Sequence, residues 1–359
     1  MKTCFVGDFS PTAVTNALFA EGAMEVLFED TLPLFAAHEV NVVNVETALT
    51  EADTPITKFG PNIKATPKAA SVLAKAGFTH ATISNNHTYD FGPKGFMDTV
   101  ENLKAVGIEP TGYGSNYEDA RRTLFIEREG ERLAVIGVCE HEYTYALEGR
   151  MGCRPFDEFD TVEDVRAAKA QADRVVVLYH GGKEHCQYPS PRLRRVCRAL
   201  VRAGADVVLC QHSHCIGCYE TYQDSHILYG QGNFHFVKPH DRATWFDSLA
   251  VSYDTKANAI SFIPIHNTEQ GIALSTGERK EQVMAAFAAR NASLLDGSWE
   301  QGWLAFCESM RKHYTGIVGG AGREDSTKGA DHAFAHYLDC EAHTDVWRTL
   351  FRTSHYEND

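Results

Sequence analysis

Short apolar runs recur along this chain, and each ends in residues able to bind a metal or a proton. Thr3-Cys4-Phe5-Val6 runs into Gly7-Asp8, Val40-Asn41-Val42-Val43 into Asn44-Val45-Glu46, and His80-Ala81-Thr82-Ile83 into Asn85-Asn86-His87-Thr88-Tyr89-Asp90. Further on, Arg174-Val175-Val176-Val177-Leu178 leads to His180-Gly181-Gly182-Lys183-Glu184, and Ala205-Asp206-Val207-Val208-Leu209-Cys210 to His212-Ser213-His214. Apolar runs of this length, bounded by turn signals, read as strands buried on both faces. Between them, residues 67–76, 93–106, 162–172 and 191–203 read as helices, the last two capped by Thr161 and Ser190. Gly77, Gly107 and Gly204 stand at expected C-caps. The alternation predicts α/β layers.

Past residue 225 the rhythm changes. Residues 227–229, 248–253 and 259–264 are separated by turns and predict antiparallel strands completing a second sheet. From about Gly277 the spacing turns helical over 281–294 and 299–313, then 331–338 and 341–352. The glycine-rich stretch 316–322 between these pairs predicts a flexible connector. It follows a helix and lacks the Lys-Ser/Thr ending of a phosphate loop. The expected division is a domain over 1–270 and a helical appendage over 271–359.

Composition narrows the function. A chain of 359 residues with 43% hydrophobic content can bury a large core. A net charge of -14 without a basic stripe argues against nucleic acid as a partner and leaves a small molecule or polymer fragment as substrate. No run of about 18 apolar residues predicts a membrane span. The first strand starts at once, and ten cysteines are scattered without a disulfide-scaffold spacing, so a cytoplasmic location is expected. Cys210, Cys215 and Cys218 leave open a thiolate zinc or iron–sulfur reading.

Carboxylate, amide oxygen and imidazole together suit manganese, zinc or iron, whereas calcium prefers oxygen alone. Asp8, Glu46, Asn86, His180, His212 and His214 are too many ligands for one tetrahedral ion, so two bridged ions are expected. Such a pair, about 4 Å apart, lowers the pKa of a shared water, which is hydrolase chemistry. An extended His212-Ser213-His214 would point both imidazoles to one side.

Taken in order with Gly230-Gln231-Gly232-Asn233-Phe234, these motifs resemble the CapA family of poly-γ-glutamate capsule biosynthesis proteins, a branch of the calcineurin-like metallophosphoesterases. The resemblance runs over about residues 3–265. It implies a four-layer sandwich of two mixed sheets flanked by helices. It also implies Asp8, Glu46 and His214 on one ion, and Glu46, Asn86, His180 and His212 on the other. His87 matches the acid toward the leaving group, with Asp90 orienting it, and Asn44, Glu184 and Asn233 are expected to support the site or touch substrate. Departures are Ser10 where the phosphoesterases carry a histidine, Glu46 for the bridging aspartate, Gln211 before the His-x-His, and His185 in an aromatic position. His235 and His240 are candidates to line the pocket, whereas His38, His141, His313, His332, His336, His343 and His355 read as solvated or core residues.

Overall fold

The computed structural model describes residues 1–140, 142–321 and 328–356. Two sheets dominate it. The first runs in the order Ile272–Leu274, Ala259–Asn267, Asp247–Asp254, Lys2–Phe9, Val40–Val45, His80–Thr82, Glu109–Thr111, with Asn233–His235 paired to the end of Lys2–Phe9. The second runs Tyr219–Tyr222, Ser225–Leu228, Val207–Gln211, Arg174–His180, Glu131–Cys139, Leu124–Arg128. In the first sheet the strands from Lys2–Phe9 through Glu109–Thr111 are parallel and those on its other side antiparallel, while in the second sheet a parallel centre carries an antiparallel strand at each edge.

The two-residue period of the strands builds the layers. Phe5, Val42, Val135, Val176, Leu178, Val207 and Leu209 meet in a core between the sheets. Their neighbours Cys4, Val6 and Val43 face outward under the helices Lys68–Lys75 and Gly92–Ala105. On the other side, Ile136, Val177 and Val208 face the helices Glu158–Lys169 and Pro191–Ala203. Helix, sheet, sheet, helix is the expected four-layer order, and it explains why the strands read as unbroken apolar runs.

Several boundaries differ from the sequence reading. The expected second-sheet strands divide: Ser225–Leu228 runs parallel to Val207–Gln211 in the second sheet, while Asp247–Asp254 and Ala259–Asn267 form an antiparallel wing of the first. Hydrophobic alternation reveals a strand but not its partner. Asp157, not Thr161, caps the third helix, accepting hydrogen bonds from the Phe159 and Asp160 amides. The glycines expected to form a connector are helical as far as Gly320, because Trp299–Gly320 continues through them. Gly322 and His141 lie outside the described residues, as does the side chain of His355.

Ser190 is a cap with two duties. Its Oγ accepts the Leu193 amide proton at 3.0 Å and donates to Asp345 Oδ2 at 2.6 Å, tying the second sheet's outer helix to Glu341–Tyr356. Ser190→Ala is expected to cost about 1–2 kcal/mol, read as a lower urea midpoint with an unchanged slope.

Candidate metal centre

Parallel strands end on the same edge of a sheet, so ligands placed after them share a neighbourhood. Here the two edges also meet each other. Asp8 stands in register with Asn44 and Asn233. A Cβ on Gly7 would lie 2.0 Å from the Gly232 carbonyl oxygen, so only glycine lets these two segments close together. Asn44 Nδ2 donates to Asp8 Oδ1 at 2.7 Å and approaches His180 Nδ1 at 3.0 Å, while the His212 amide donates to Asp8 Oδ2 at 3.0 Å. The first pair lies within one sheet and the other two cross to the second.

His212 and His214 reach the site by a different route from the one expected. The strand ends at Gln211, and both histidines are left-handed, with φ of 84° and 53°. Such backbone costs about 1–2 kcal/mol per non-glycine residue and is kept where a function requires it. Their rings are 5.8 Å apart, and Glu46, His212 and His214 place ligand atoms within 4.8 Å of one another. His214 Nδ1 meets Asn233 Oδ1 at 2.8 Å and Asp8 Oδ2 at 3.5 Å. His180 Nε2 lies 2.8 Å from Asn86 Oδ1 and 3.4 Å from Glu46 Oε1.

Glu46 decides what the cluster can hold. It is fully buried, and neither carboxylate oxygen has a hydrogen-bond partner among the described residues. Burial, and then the charges of Asp8 and Glu184, push its carboxyl well above the usual range. A buried carboxylate lacking donors is strongly unfavourable unless a cation compensates it. The oxygen and nitrogen donors around it fit divalent ions of the manganese, zinc and iron kind.

Beside this cluster, His87 Nδ1 meets Asp90 Oδ2 at 2.7 Å and Lys58 Nζ at 3.2 Å, and Lys58 also ion-pairs with Asp90. Burial, with help from Lys58, lowers His87 to about 4, so the resting ring is neutral at neutral pH. A carboxylate accepts only, so Nδ1 donates to Asp90 and Nε2 is left as the accepting nitrogen of a ring that lines a cavity. It can take a proton and return it, but it is not a standing acid.

Residues 2–238 match the family model of the bacterial capsule synthesis protein PGA_cap. The chain belongs to this family. It is 30% identical over 58% of its length to the capsule biosynthesis protein CapA of Bacillus anthracis and 27% identical over 72% to the PGA biosynthesis protein CapA of Bacillus subtilis. It spans about half of the first relative (52%) and 68% of the second. Among solved structures it resembles a hypothetical protein from Thermus thermophilus, at 13% identity and a TM-score of 0.46, covering 77% of this chain and all of that one. It also resembles a 5'-nucleotidase from Candida albicans, at 12% identity and a TM-score of 0.42, covering 74% of this chain and 51% of that one.

Within this PGA_cap chain, the motif residues Asp8, Asn44, Glu46, Asn86, His180, His212, His214 and Asn233 are brought together, with His87 and Asp90 alongside. Glu184 lies at the cavity rim, 3.3 Å from Lys183 Nζ. Ser10 Oγ is buried without a hydrogen-bond partner among the described residues. The sequence reading passed over Lys58, which lies in a stretch without regular structure, and Asn85, whose amide donates to Asn44 Oδ1 at 3.0 Å. Adjacency of Asn85 to Asn86 was the available signal; Lys58 had none. The three thiols diverge: Cys210 faces Cys197 Sγ at 3.7 Å, and Cys218 donates to the Gln187 carbonyl. No helix among the described residues is long and apolar enough to cross a membrane.

His240 stacks on Trp245 with ring centres 4.4 Å apart and borders a separate cavity with Lys238. His235 does not line the pocket: its ring packs edge-on to Phe19 at 4.9 Å, inside the first sheet's outer core. Burial lowers His235 to about 3, against an ordinary 6.5. Between those values the unfolded chain binds a proton that the native chain does not, so stability held above pH 6.5 is lost as pH falls. His235→Phe should therefore flatten the fall in unfolding free energy between pH 7 and 5 by about 2 kcal/mol. Urea titrations at both pH values measure it.

Proposed function

We propose that this chain is a metal-dependent hydrolase of capsule or polyglutamate synthesis, with an anionic substrate that is a phosphoester or a γ-glutamyl amide. The observation that carries the reading is Glu46, a buried carboxylate with imidazoles around it and, among the described residues, no hydrogen-bond donor on either oxygen. Asp8, Glu46 and His214 would hold one ion, and Glu46, Asn86, His180 and His212 the other. Such ions, when bound, supply Lewis acidity and lower the pKa of water.

The chain's own groups do the rest. Asn44 and Asn233 orient Asp8 and His214 through direct hydrogen bonds. Lys58 and Lys183 line the cavity and offer positive charge within an acidic protein, which suits an anionic substrate. His87, held by Asp90, moves a proton between the attacking and leaving groups. Ten free, buried thiols fit work in a reducing compartment, the cytoplasm.

A second reading, a metal-holding scaffold without turnover, is favoured by Ser10, whose short side chain leaves the first ion one imidazole poorer. The two readings separate on activity. Purified protein loaded with manganese, zinc or iron is assayed against a phosphodiester, a phosphomonoester and a γ-glutamyl amide. Hydrolysis of one of them, reduced about 10²–10⁴-fold in His87→Ala, supports catalysis. Bound metal with no turnover on any supports the scaffold. His214→Ala should lose more metal than His212→Ala in equilibrium dialysis, because its ion lacks the histidine that Ser10 replaces; equal losses would contradict the division.

A further inference from the structure

The carboxy-terminal helices add a second group of ligands to the same cavity. His336 lies near the end of Lys328–Asp339, Cys340 between the helices, and His343 in the first turn of Glu341–Tyr356. The spacing His-x3-Cys-x2-His places residues three and four apart, which face one way across a helical junction. Their ligand atoms lie within 4.8 Å of one another. A tetrahedral zinc with bonds of about 2.0–2.3 Å holds its donors roughly 3.3–3.8 Å apart, so closure needs a shift of about an ångström or less.

The side chains are held as metal ligands usually are. His343 Nδ1 meets the Tyr314 hydroxyl at 2.6 Å, and its ring lies on Tyr337 at 3.8 Å. That contact occupies one nitrogen and orients the ring, as an oxygen partner does for ligating histidines. His336 stacks on Phe59 at 5.4 Å and on Tyr143 at 5.6 Å, which fixes its plane. Cys340 is 1% exposed, with no place for a solvated thiol role. All three line a cavity of about 210 Å³ together with Asn86, His87 and His212.

We propose that His336, Cys340 and His343 bind one zinc-class divalent ion, separate from the ions of the Glu46 cluster, that clips the two last helices together at the roof of the cleft. One thiolate and two imidazoles are a borderline-soft set, which selects zinc over manganese, magnesium or calcium. Three protein ligands leave a fourth position for water or a group from the cavity that all three line. The sequence reading placed His336 and His343 among core or solvated residues, because their meeting depends on a helix junction that no motif announces. This proposal does not rest on the hydrolase reading.

Cobalt(II) tests it, since a cobalt–thiolate bond gives a near-ultraviolet charge-transfer band that imidazole and carboxylate ligands do not. The full chain is loaded with cobalt and, in parallel, with zinc for metal counting. The band should be present in the unsubstituted chain and in the Glu46→Gln/His212→Ala variant, and absent in Cys340→Ser. His336→Gln, at a half-buried position, should lose one zinc per chain while keeping the native circular dichroism. A band that survives Cys340→Ser, no band in the unsubstituted chain, or an unchanged zinc count in His336→Gln would overturn the proposal. Zinc lost from Glu46→Gln/His212→Ala while its cobalt band persists supports two separate sites.

Discussion

Two carboxylates, Asp8 and Glu46, are buried where the parallel edges of two sheets meet, and that burial is the constraint around which the rest is arranged. Asp8 is compensated from within the chain by the Asn44 amide and the His212 backbone amide, with His214 beside it. Glu46 has no hydrogen bond among the described residues, and its compensation comes from His180 Nε2 at 3.4 Å and the charges of Lys58 and Lys238. One acid is held by donors and the other is left open to a cation. The left-handed backbone at His212 and His214 points the same way, since an ordinary strand end would avoid its cost.

The layers of the fold were readable because strands buried on both faces must be apolar without interruption, and the helices between them carry caps such as Ser190. Strand partnership was not. Asp247–Asp254 joins the first sheet through pairing with Lys2–Phe9, a contact between segments far apart in the chain that local periodicity does not encode. The glycines after His313 misled for a related reason: glycine's intrinsic preference is weak, and the surrounding helix overrode it as far as Gly320.

The grouping of the candidate site's residues was largely legible, because they follow strands and strand ends are easy to find. What escaped was whatever arrives from irregular chain or from beyond the family's span. Lys58 sits in such a segment yet contacts Asp90, His87 and the Asn86 carbonyl. His336 and His343 come from helices outside the matched residues 2–238, and they reach the cavity because Asp345 is tied to Ser190 and Arg192. The family motifs thus form the floor of the cleft, and residues particular to the carboxy-terminal helices form its roof.

The proposed chemistry depends on cations at Glu46. The most direct measurement is anomalous diffraction from crystals soaked in manganese, with data collected on both sides of the metal's absorption edge. The account predicts two peaks flanking the Glu46 carboxylate, one toward Asp8 and His214 and the other toward His180 and His212. Absence of density at Glu46, or a single peak bound without it, would contradict the account.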